Sequence, residues 1–448
     1  MWNHFVTSVS ESLSNFSTPH LLAGMPAVVC VLARSLRFGL VMDDVNRERS
    51  KANLTQLPLW RKYIHNCIYS GACPGTKVWV EHLVTLLMHL TAVYLVGITF
   101  NWPTALLWAT LATNVQQSVW LNGKRYILAV ICVLLSLQWL PWSAVYLPIG
   151  VYFHYLAVPA VILSPWAIGI AGISWLVPRL QIRYRGWFLA RYRVEGVSKS
   201  ELTRLTPRKI IVAVKVYGFY FWKVLLPFKV AFFYRFMDHF GISKWGTADA
   251  YRFDWMFVRG LLAITATILG LFTPARWGLI WWTVFISMWC HLLVHVTQAV
   301  ADRYTYLASI GLASAIVSVA PAEIYWAVFG MNLIALNSAM TQYRDLETFF
   351  RYNLLVEPKQ ARACRQYAQS LADSRFVHEA WRLVQNGIIH TPDDCNLNIL
   401  AARLMAGAKR WGDAYRYILV AEANPVEGSQ ACREYIARIK ADIEAQAK

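Results

Sequence analysis

The sequence predicts an all-α fold: a polytopic helical membrane protein of about eleven spans, followed by a C-terminal helical domain. Of the 448 residues, 57% are hydrophobic and only 15% are charged, and the mean hydropathy is +0.37. A soluble protein of this size carries about a quarter charged residues. Apolar runs near the roughly 17 to 25 residues that cross a bilayer recur through the first three quarters of the chain. The predicted spans are 19–41, 81–99, 103–120, 126–140, 142–157, 159–178, 210–228, 256–272, 277–298, 306–320 and 323–340.

The basic residues set the predicted topology. The formal net charge is +18, and a dense group of cations lies between the sixth and seventh spans. Its members are Arg179, Arg183, Arg185, Arg191, Arg193, Lys199, Arg204, Arg208 and Lys209. The positive-inside rule places this segment, and with it the N-terminus, in the cytoplasm and the C-terminal tail outside. This arrangement fits a bacterial inner membrane with a periplasmic tail, or the equivalent with the tail in the lumen of the endoplasmic reticulum.

Two features qualify that charge argument. No aromatic stacking pattern or binding motif accompanies the cations, so we do not expect nucleic acid as a partner. We expect the cations to contact anionic lipids of the bilayer instead. The segment 42–80 would lie outside although it is basic. Either the first span is miscounted, or these cations serve an anionic ligand.

The chain divides into a membrane domain, 1–344, and a tail, 345–448, which carries an internal repeat. Pro358, Pro392 and Pro425 recur at spacings of 34 and 33 residues, and small residues such as Ala380 and Ala414 precede them. This is the period of tetratricopeptide helix pairs, in which a small residue allows close packing and a proline ends the second helix. The segment 425–448 is predicted to be a terminal capping helix. We expect a docking surface for a polypeptide; the alternative is that the tail only covers the membrane domain.

The adjacent carboxylates of Asp43 and Asp44 follow the first span directly. Two such groups repel each other, which raises one pKa. This disposition suits a general base or a pair that binds a divalent cation. The alternative is a solvated pair of loop acids, so a metal at Asp43 or Asp44 stays open.

An element with charged and aromatic residues, Ala301–Gly311, interrupts two apolar stretches. Arg303 at the end of a buried span requires an anion, and Tyr304 and Tyr306 favour the membrane–water boundary. The element therefore predicts a ligand with a phosphate head and a lipid tail; a headgroup anchor or a pair with Asp302 is the alternative. Lys223, alone in an aromatic apolar stretch, either joins this phosphate or snorkels to the interface.

His82 and His89 lie two helical turns apart and so reach different depths, which does not suit a shared metal. We expect them to pack or to form hydrogen bonds.

Several segments resemble one known family in the same order along the chain. His295–Leu312 resembles the "AdRYtYLPsIGl" signature of GT-C superfamily glycosyltransferases, in particular the transmembrane-and-tetratricopeptide O-mannosyltransferases. Further matching segments are Phe38–Asp44, Gly75–His89, Ser118–Arg125, Tyr217–Pro227 and Tyr343–Phe350. The chain departs from the pattern at Ala308, where a proline is usual, and at Leu111–Gln116, which lacks a His-Pro pair and a glutamate.

The resemblance implies an inverting membrane glycosyltransferase. A polyprenyl-phosphate sugar would be the donor and an extracytoplasmic protein Ser or Thr hydroxyl the acceptor. Asp43 or Asp44 would act as the base, and Arg303, Tyr304, Tyr306 and Lys223 would bind the donor phosphate. His82, His89, Lys124 and Arg125 would line the site. Three alternatives stay open: a surface polysaccharide as acceptor, a transporter or flippase of lipid-linked sugar, and a catalytically inactive scaffold.

Overall fold

The computed structural model describes most of the chain outside several internal segments. The described residues are 18–38, 77–139, 142–153, 157, 160, 207–227, 230–232, 234, 253–290, 300–358, 360–424 and 430–447. Every regular element in these ranges is a helix and none is a strand, so the prediction of an all-α fold is confirmed.

Eleven helices of the described residues belong to the part of the chain that is predicted to lie in the membrane. They are α1 (Thr18–Ala33), α2 (Val78–Thr99), α3 (Trp102–Thr110), α4 (Val115–Val119), α5 (Lys124–Gln138), α6 (Ser143–Phe153), α7 (Pro207–Leu225), α8 (Trp255–Gly270), α9 (Arg276–Ser287), α10 (Ser309–Val319) and α11 (Ala322–Met340). Short 3₁₀ turns join several of them, at Arg34–Arg37, Ala112–Asn114, Leu121–Gly123, Met288–Cys290, Asp302–Tyr304 and Thr341–Tyr343.

Two helical stretches in the described part of the chain are long and apolar enough to cross a membrane. They are Val78–Thr99 and Ala322–Tyr343, each of 22 residues. A third span results if the helical pieces Ala112–Val119 and Lys124–Gln138, bent by 107°, are counted as one. The structure is thus compatible with a membrane protein, and the count of eleven spans stays a prediction.

The apolar run 103–120 differs from the continuous span that the sequence predicts. α3 begins at an N-cap, Asn101, whose side chain accepts from the Thr104 backbone N–H at 2.8 Å, and it ends after nine residues. At the end of α3, the Asn114 side-chain amide donates to the Trp108 carbonyl at 2.8 Å. This bond occupies a carbonyl that the backbone of a continuing helix would use. Nine residues cover only about 14 Å. This segment is therefore the short helix α3, followed by a buried 3₁₀ turn, Ala112–Asn114, and the short helix α4.

Glycines bring two pairs of neighbouring helices into backbone contact. A Cβ added to Gly218 of α7 would lie 2.4 Å from the Cα of Gly260 in α8. A Cβ added to Gly278 of α9 would lie 2.4 Å from the carbonyl oxygen of Gly311 in α10. Small residues at helix crossings are typical of membrane bundles, where close packing replaces the hydrophobic effect. The second crossing fixes the helix that directly follows the Asp302–Tyr304 turn.

Six helices form the tail, and each packs against the next. They are α12 (Leu346–Val356), α13 (Ala361–Asp373), α14 (Val377–His390), α15 (Cys395–Gly407), α16 (Trp411–Ala423) and α17 (Gln430–Ala447). The last lies within the predicted terminal helix 425–448. Pro358 and Pro392 follow the ends of α12 and α14, whereas Pro425 lies outside the described residues.

The 34-residue spacing of the sequence reappears in the backbone of the tail. Arg375 after α13 and Lys409 after α15 both have a left-handed conformation, with φ of 68° and 59°. Ala380 and Ala414, in the helices that follow, are both fully buried. The tail is therefore a regular stack of helix hairpins, and its assignment as a tetratricopeptide domain stays a prediction.

Candidate functional site

Arg303 lies on the 3₁₀ turn Asp302–Tyr304, between the end of α9 and the start of α10. The Tyr304 ring stacks on Trp289, with ring centroids 3.9 Å apart and planes 8° from parallel. The Arg303 guanidinium lies over the Tyr304 ring at 4.9 Å and over Phe232 at 5.8 Å. The guanidinium is half-buried between aromatic faces, a setting in which it is held in one orientation.

Asp302 is buried, with 1% of its surface exposed. Its Oδ2 accepts a hydrogen bond of 2.6 Å from the Tyr234 hydroxyl, which itself accepts from the Ala231 backbone N–H at 2.7 Å. Burial raises the pKa of Asp302 to about 6, although the charges of Lys223 and Arg303 and the Tyr234 hydrogen bond act in the opposite direction. The carboxyl is therefore ionised at neutral pH.

Lys223 and Arg303, which are far apart in sequence, act on this same carboxylate. The Lys223 Nζ lies 4.5 Å from the centroid of the Tyr234 ring and 5.9 Å from that of Phe219. The structure thus brings together two residues that the sequence predicts to bind phosphate. Two cations and one carboxylate leave one net positive charge, which is suited to an anion. We call Arg303, Lys223 and Asp302 the charged cluster.

Tyr306 has a different environment from Tyr304. It is completely buried, and its hydroxyl forms a 2.6 Å hydrogen bond with His89 Nδ1. The Trp108 indole N–H donates to the Tyr306 carbonyl at 3.0 Å. Tyr306 and His89 therefore fasten the Asp302–Tyr304 turn to α2 and α3, and the predicted hydrogen-bonding role of His89 is met. Phosphate binding by Tyr306 stays a prediction.

The other predicted lining residues lie at the start of α2 and α5. His82 is buried, with its ring edge-on to Phe38 at 6.4 Å. Lys124 is buried and forms an ion pair with Glu81. The Arg125 guanidinium lies over the Tyr126 ring at 5.3 Å. Asp43 and Asp44 lie outside the described residues, so the structure does not relate them to this group.

Sequence reasoning missed four residues of this region: Glu81, Gln116, Trp120 and Tyr234. Gln116 Oε1 accepts from the Arg303 backbone N–H at 3.3 Å, and the Trp120 ring lies edge-on to Phe232 at 5.3 Å. Polar residues inside apolar runs are a usable signal for Glu81 and Gln116. Tyr234 offers no such signal, because only the folded chain brings it to Asp302.

No group of three or more His, Cys, Asp or Glu side chains suited to a metal occurs among the described residues. A divalent cation at Asp43 or Asp44 therefore stays a prediction.

Comparisons with known proteins found no matching family model, no matching curated protein and no matching solved structure.

Proposed function

We propose that this protein is an inverting membrane glycosyltransferase that transfers a sugar from a polyprenyl-phosphate donor to an extracytoplasmic protein Ser or Thr hydroxyl. The convergence of Lys223 and Arg303 on Asp302 carries the proposal. The sequence predicts both cations to be phosphate ligands. Arg303 is adjacent to Asp302 in the chain, and Lys223 lies over the ring of Tyr234, whose hydroxyl donates to Asp302. The resemblance of His295–Leu312 to a glycosyltransferase signature supplies the reaction class.

The charged cluster supports binding of the phosphate of such a donor. A cation held between aromatic rings and partly removed from water interacts more strongly with an anion than one in bulk solvent. Fixed charges of this kind stabilise a leaving phosphate without reorganising during the reaction. Lys223 and Arg303 would thus bind the donor and also favour departure of the lipid phosphate.

In the proposed reaction, the acceptor oxygen forms a bond to the anomeric carbon while the bond from that carbon to the phosphate oxygen breaks. The electron pair of the breaking bond leaves with the lipid phosphate, and Asp43 or Asp44 takes the proton of the hydroxyl. The assignment of Asp43 or Asp44 as the base is supported by the resemblance of Phe38–Asp44 to the matching segment of the glycosyltransferase family.

The proposed topology puts the donor, the acceptor and the tail on one side of the membrane. The N-terminus is cytoplasmic, and the tail 345–448 lies outside, where a tetratricopeptide-like stack would present the polypeptide acceptor. Asp302 and Arg303 of the charged cluster lie shortly before α10, and the tail begins soon after α11. A short path in sequence therefore connects the phosphate-binding region with the acceptor-docking region.

Intact-mass analysis of secreted and surface proteins from cells with and without the chain tests the proposal. We expect a hexose-sized mass difference, lost in the Asp43→Asn, Asp44→Asn double variant and kept in the Asp393→Asn variant, which removes an exposed acid of the tail. Transfer by a normally inserted double variant would refute the base assignment. Unchanged proteins together with an altered surface polysaccharide would instead identify glycan as the acceptor. If neither changed, the enzyme proposal would fail.

A further inference from the structure

Three buried polar groups next to the charged cluster have an atom with no hydrogen-bond partner among the described residues. They are Asp302 Oδ1, Gln116 Nε2 and Trp120 Nε1. An unpaired buried donor or acceptor is strongly unfavourable, and each such group in a native protein calls for a ligand or water.

Gln116 and Trp120 lie one helical turn apart on α4 and at its end. The Trp120 backbone N–H donates to the Gln116 carbonyl at 3.1 Å, so the two side chains leave the same face. Gln116 reaches the backbone of Arg303 with its Oε1, and its Nε2 belongs to the same amide group. Trp120 reaches the Phe232 ring, over which the Arg303 guanidinium lies. Both residues therefore face the charged cluster.

The combination of donors and one acceptor indicates the chemistry of the occupant. Gln116 Nε2 and Trp120 Nε1 donate hydrogen bonds, as do Arg303 and Lys223. Asp302 Oδ1 can only accept while it is ionised, and an ester-linked phosphate monoanion has no proton to give it. An occupant that satisfies all of these atoms must carry hydroxyl groups next to its phosphate.

We propose that Asp302, Gln116 and Trp120 form a hydroxyl-binding subsite that holds the neutral sugar ring of the lipid-linked donor. This inference rests on the proposed function and extends it to the sugar. The buried Asp302 carboxylate repels the carboxylate of a uronic acid and does not repel a neutral hexose. The subsite therefore selects neutral hexoses over uronic acids.

Binding to the full-length protein in lipid nanodiscs tests the subsite. The probes are polyprenyl phosphate, polyprenyl-phosphate glucose, polyprenyl-phosphate mannose and polyprenyl-phosphate glucuronic acid. We expect at least one neutral hexose lipid to bind about tenfold more tightly than polyprenyl phosphate, and the glucuronic acid lipid to show no such gain. Gln116→Leu and Trp120→Phe should each remove most of the gain while the affinity for polyprenyl phosphate changes by less than about twofold.

Two control variants match these substitutions. Trp282→Phe removes another buried indole N–H, on a ring that packs against Tyr217 and Phe221. Gln138→Leu removes an amide that donates to the Ile98 carbonyl and the Thr99 hydroxyl at the far end of α2. Both controls should keep the preference for the hexose lipid. Trp120→Phe keeps an aromatic ring of similar shape, so its effect does not depend on whether Gln116→Leu folds.

The outcomes separate this inference from the proposed function. The subsite is refuted if the variants keep the hexose preference, if they weaken polyprenyl phosphate equally, or if glucuronic acid gives the same gain. In those cases sugar transfer by the wild-type protein leaves the proposed function intact. Wild-type protein that binds no lipid phosphate at all and transfers no sugar contradicts both.

Discussion

At the residue scale, Asp302 connects most of the groups that define the candidate site. Its Oδ2 accepts a hydrogen bond from Tyr234, the charges of Lys223 and Arg303 act on it, and its Oδ1 has no hydrogen-bond partner among the described residues. A buried carboxylate that is removed from water favours its neutral form. The two neighbouring cations limit this effect, which is why the carboxyl ionises near pH 6 rather than far above it.

We expect Asp302 to make stability depend on pH. Its pKa is 3.8 in the unfolded chain and about 6 in the folded protein, so between these values the folded state holds a proton that the unfolded state lacks. Stability should therefore fall as pH rises from about 4 to about 6, by up to about 3 kcal/mol from this group. Thermal unfolding of wild type and Asp302→Asn across pH 4 to 7.5 measures it. Asn does not titrate, so the stability of the variant relative to wild type should increase as pH rises from about 4 to about 6. A difference in stability between the two proteins that does not change with pH would contradict the assignment.

The buried pair of Glu81 and Lys124 gives a second prediction at this scale. Both side chains are at most 5% exposed, so replacing Glu81 removes an ion pair from a nonpolar environment. We expect Glu81→Gln to lower the free energy of unfolding by about 3 kcal/mol and the Glu81→Gln, Lys124→Met double variant to recover most of the loss. The exposed pair Arg351–Glu347 is the control. There, Glu347→Gln should change stability by less than about 0.5 kcal/mol.

At the element scale, close helix crossings determine where the Asp302–Tyr304 turn lies. α9 and α10 meet at Gly278 and Gly311 with no room for a side chain. Trp281 adds a hydrogen bond of 2.9 Å from its indole N–H to the Leu307 carbonyl. The turn is therefore fastened on its C-terminal side by α9 as well as by His89 on α2.

The glycine crossing yields a testable difference between two similar substitutions. Gly278→Ala would place a Cβ within 2.4 Å of the Gly311 carbonyl oxygen, whereas a Cβ at Gly330 in α11 meets nothing within 4 Å. We expect Gly278→Ala to destabilise the protein by about 1 to 3 kcal/mol and Gly330→Ala to be neutral or to stabilise it by up to about 1 kcal/mol. Thermal unfolding of both variants in detergent measures this. Equal effects would show that α9 and α10 are not in backbone contact.

Individual helices were predictable from sequence to different degrees. The apolar run 323–340 matches α11, Ala322–Met340, almost residue for residue. Its Asn332 side chain donates to the Val328 carbonyl at 3.0 Å, one turn back along the helix, and the helix continues past it. The run 103–120 contains Asn114, whose side chain takes the Trp108 carbonyl and ends the helix early. Hydropathy indicates that the run is buried, but it does not show that a side chain bonds a backbone carbonyl. The end of α3 at Thr110 is therefore not predictable from hydropathy.

At the scale of the whole molecule, the proposed function requires the site and the tail to share the outer side of the membrane. Candidate site residues such as Lys223 and Arg303 were predictable because isolated cations in apolar sequence are conspicuous. The partners of Gln116, Tyr234, Glu81 and Lys124 were not predictable, because they depend on which helices pack together. The spacing of residues in the sequence shows which side chains share one face of a helix. It does not show which other helix packs against that face.

Cysteine labelling tests the predicted topology. Ser374→Cys adds a thiol at an exposed position between α13 and α14, and Arg193→Cys adds one in the basic segment that the positive-inside rule assigns to the cytoplasm. In a background whose eight native cysteines are replaced by serine, a membrane-impermeant maleimide applied to intact cells should label the first variant and not the second. Permeabilised cells should show labelling of both. Labelling of Arg193→Cys from outside would reverse the orientation and contradict the proposed position of the tail.

The most direct test of the account is lipid-phosphate binding by the charged cluster. Full-length protein in nanodiscs is titrated with polyprenyl phosphate and with polyprenol, which lacks the phosphate. The account predicts that wild type prefers the phosphate and that Arg303→Ala and Lys223→Met each weaken its binding by about tenfold or more. Arg276→Ala, which removes an exposed arginine beside Trp277, should have no effect. Equal affinity for the two lipids, or full phosphate affinity in Arg303→Ala, would contradict the central claim.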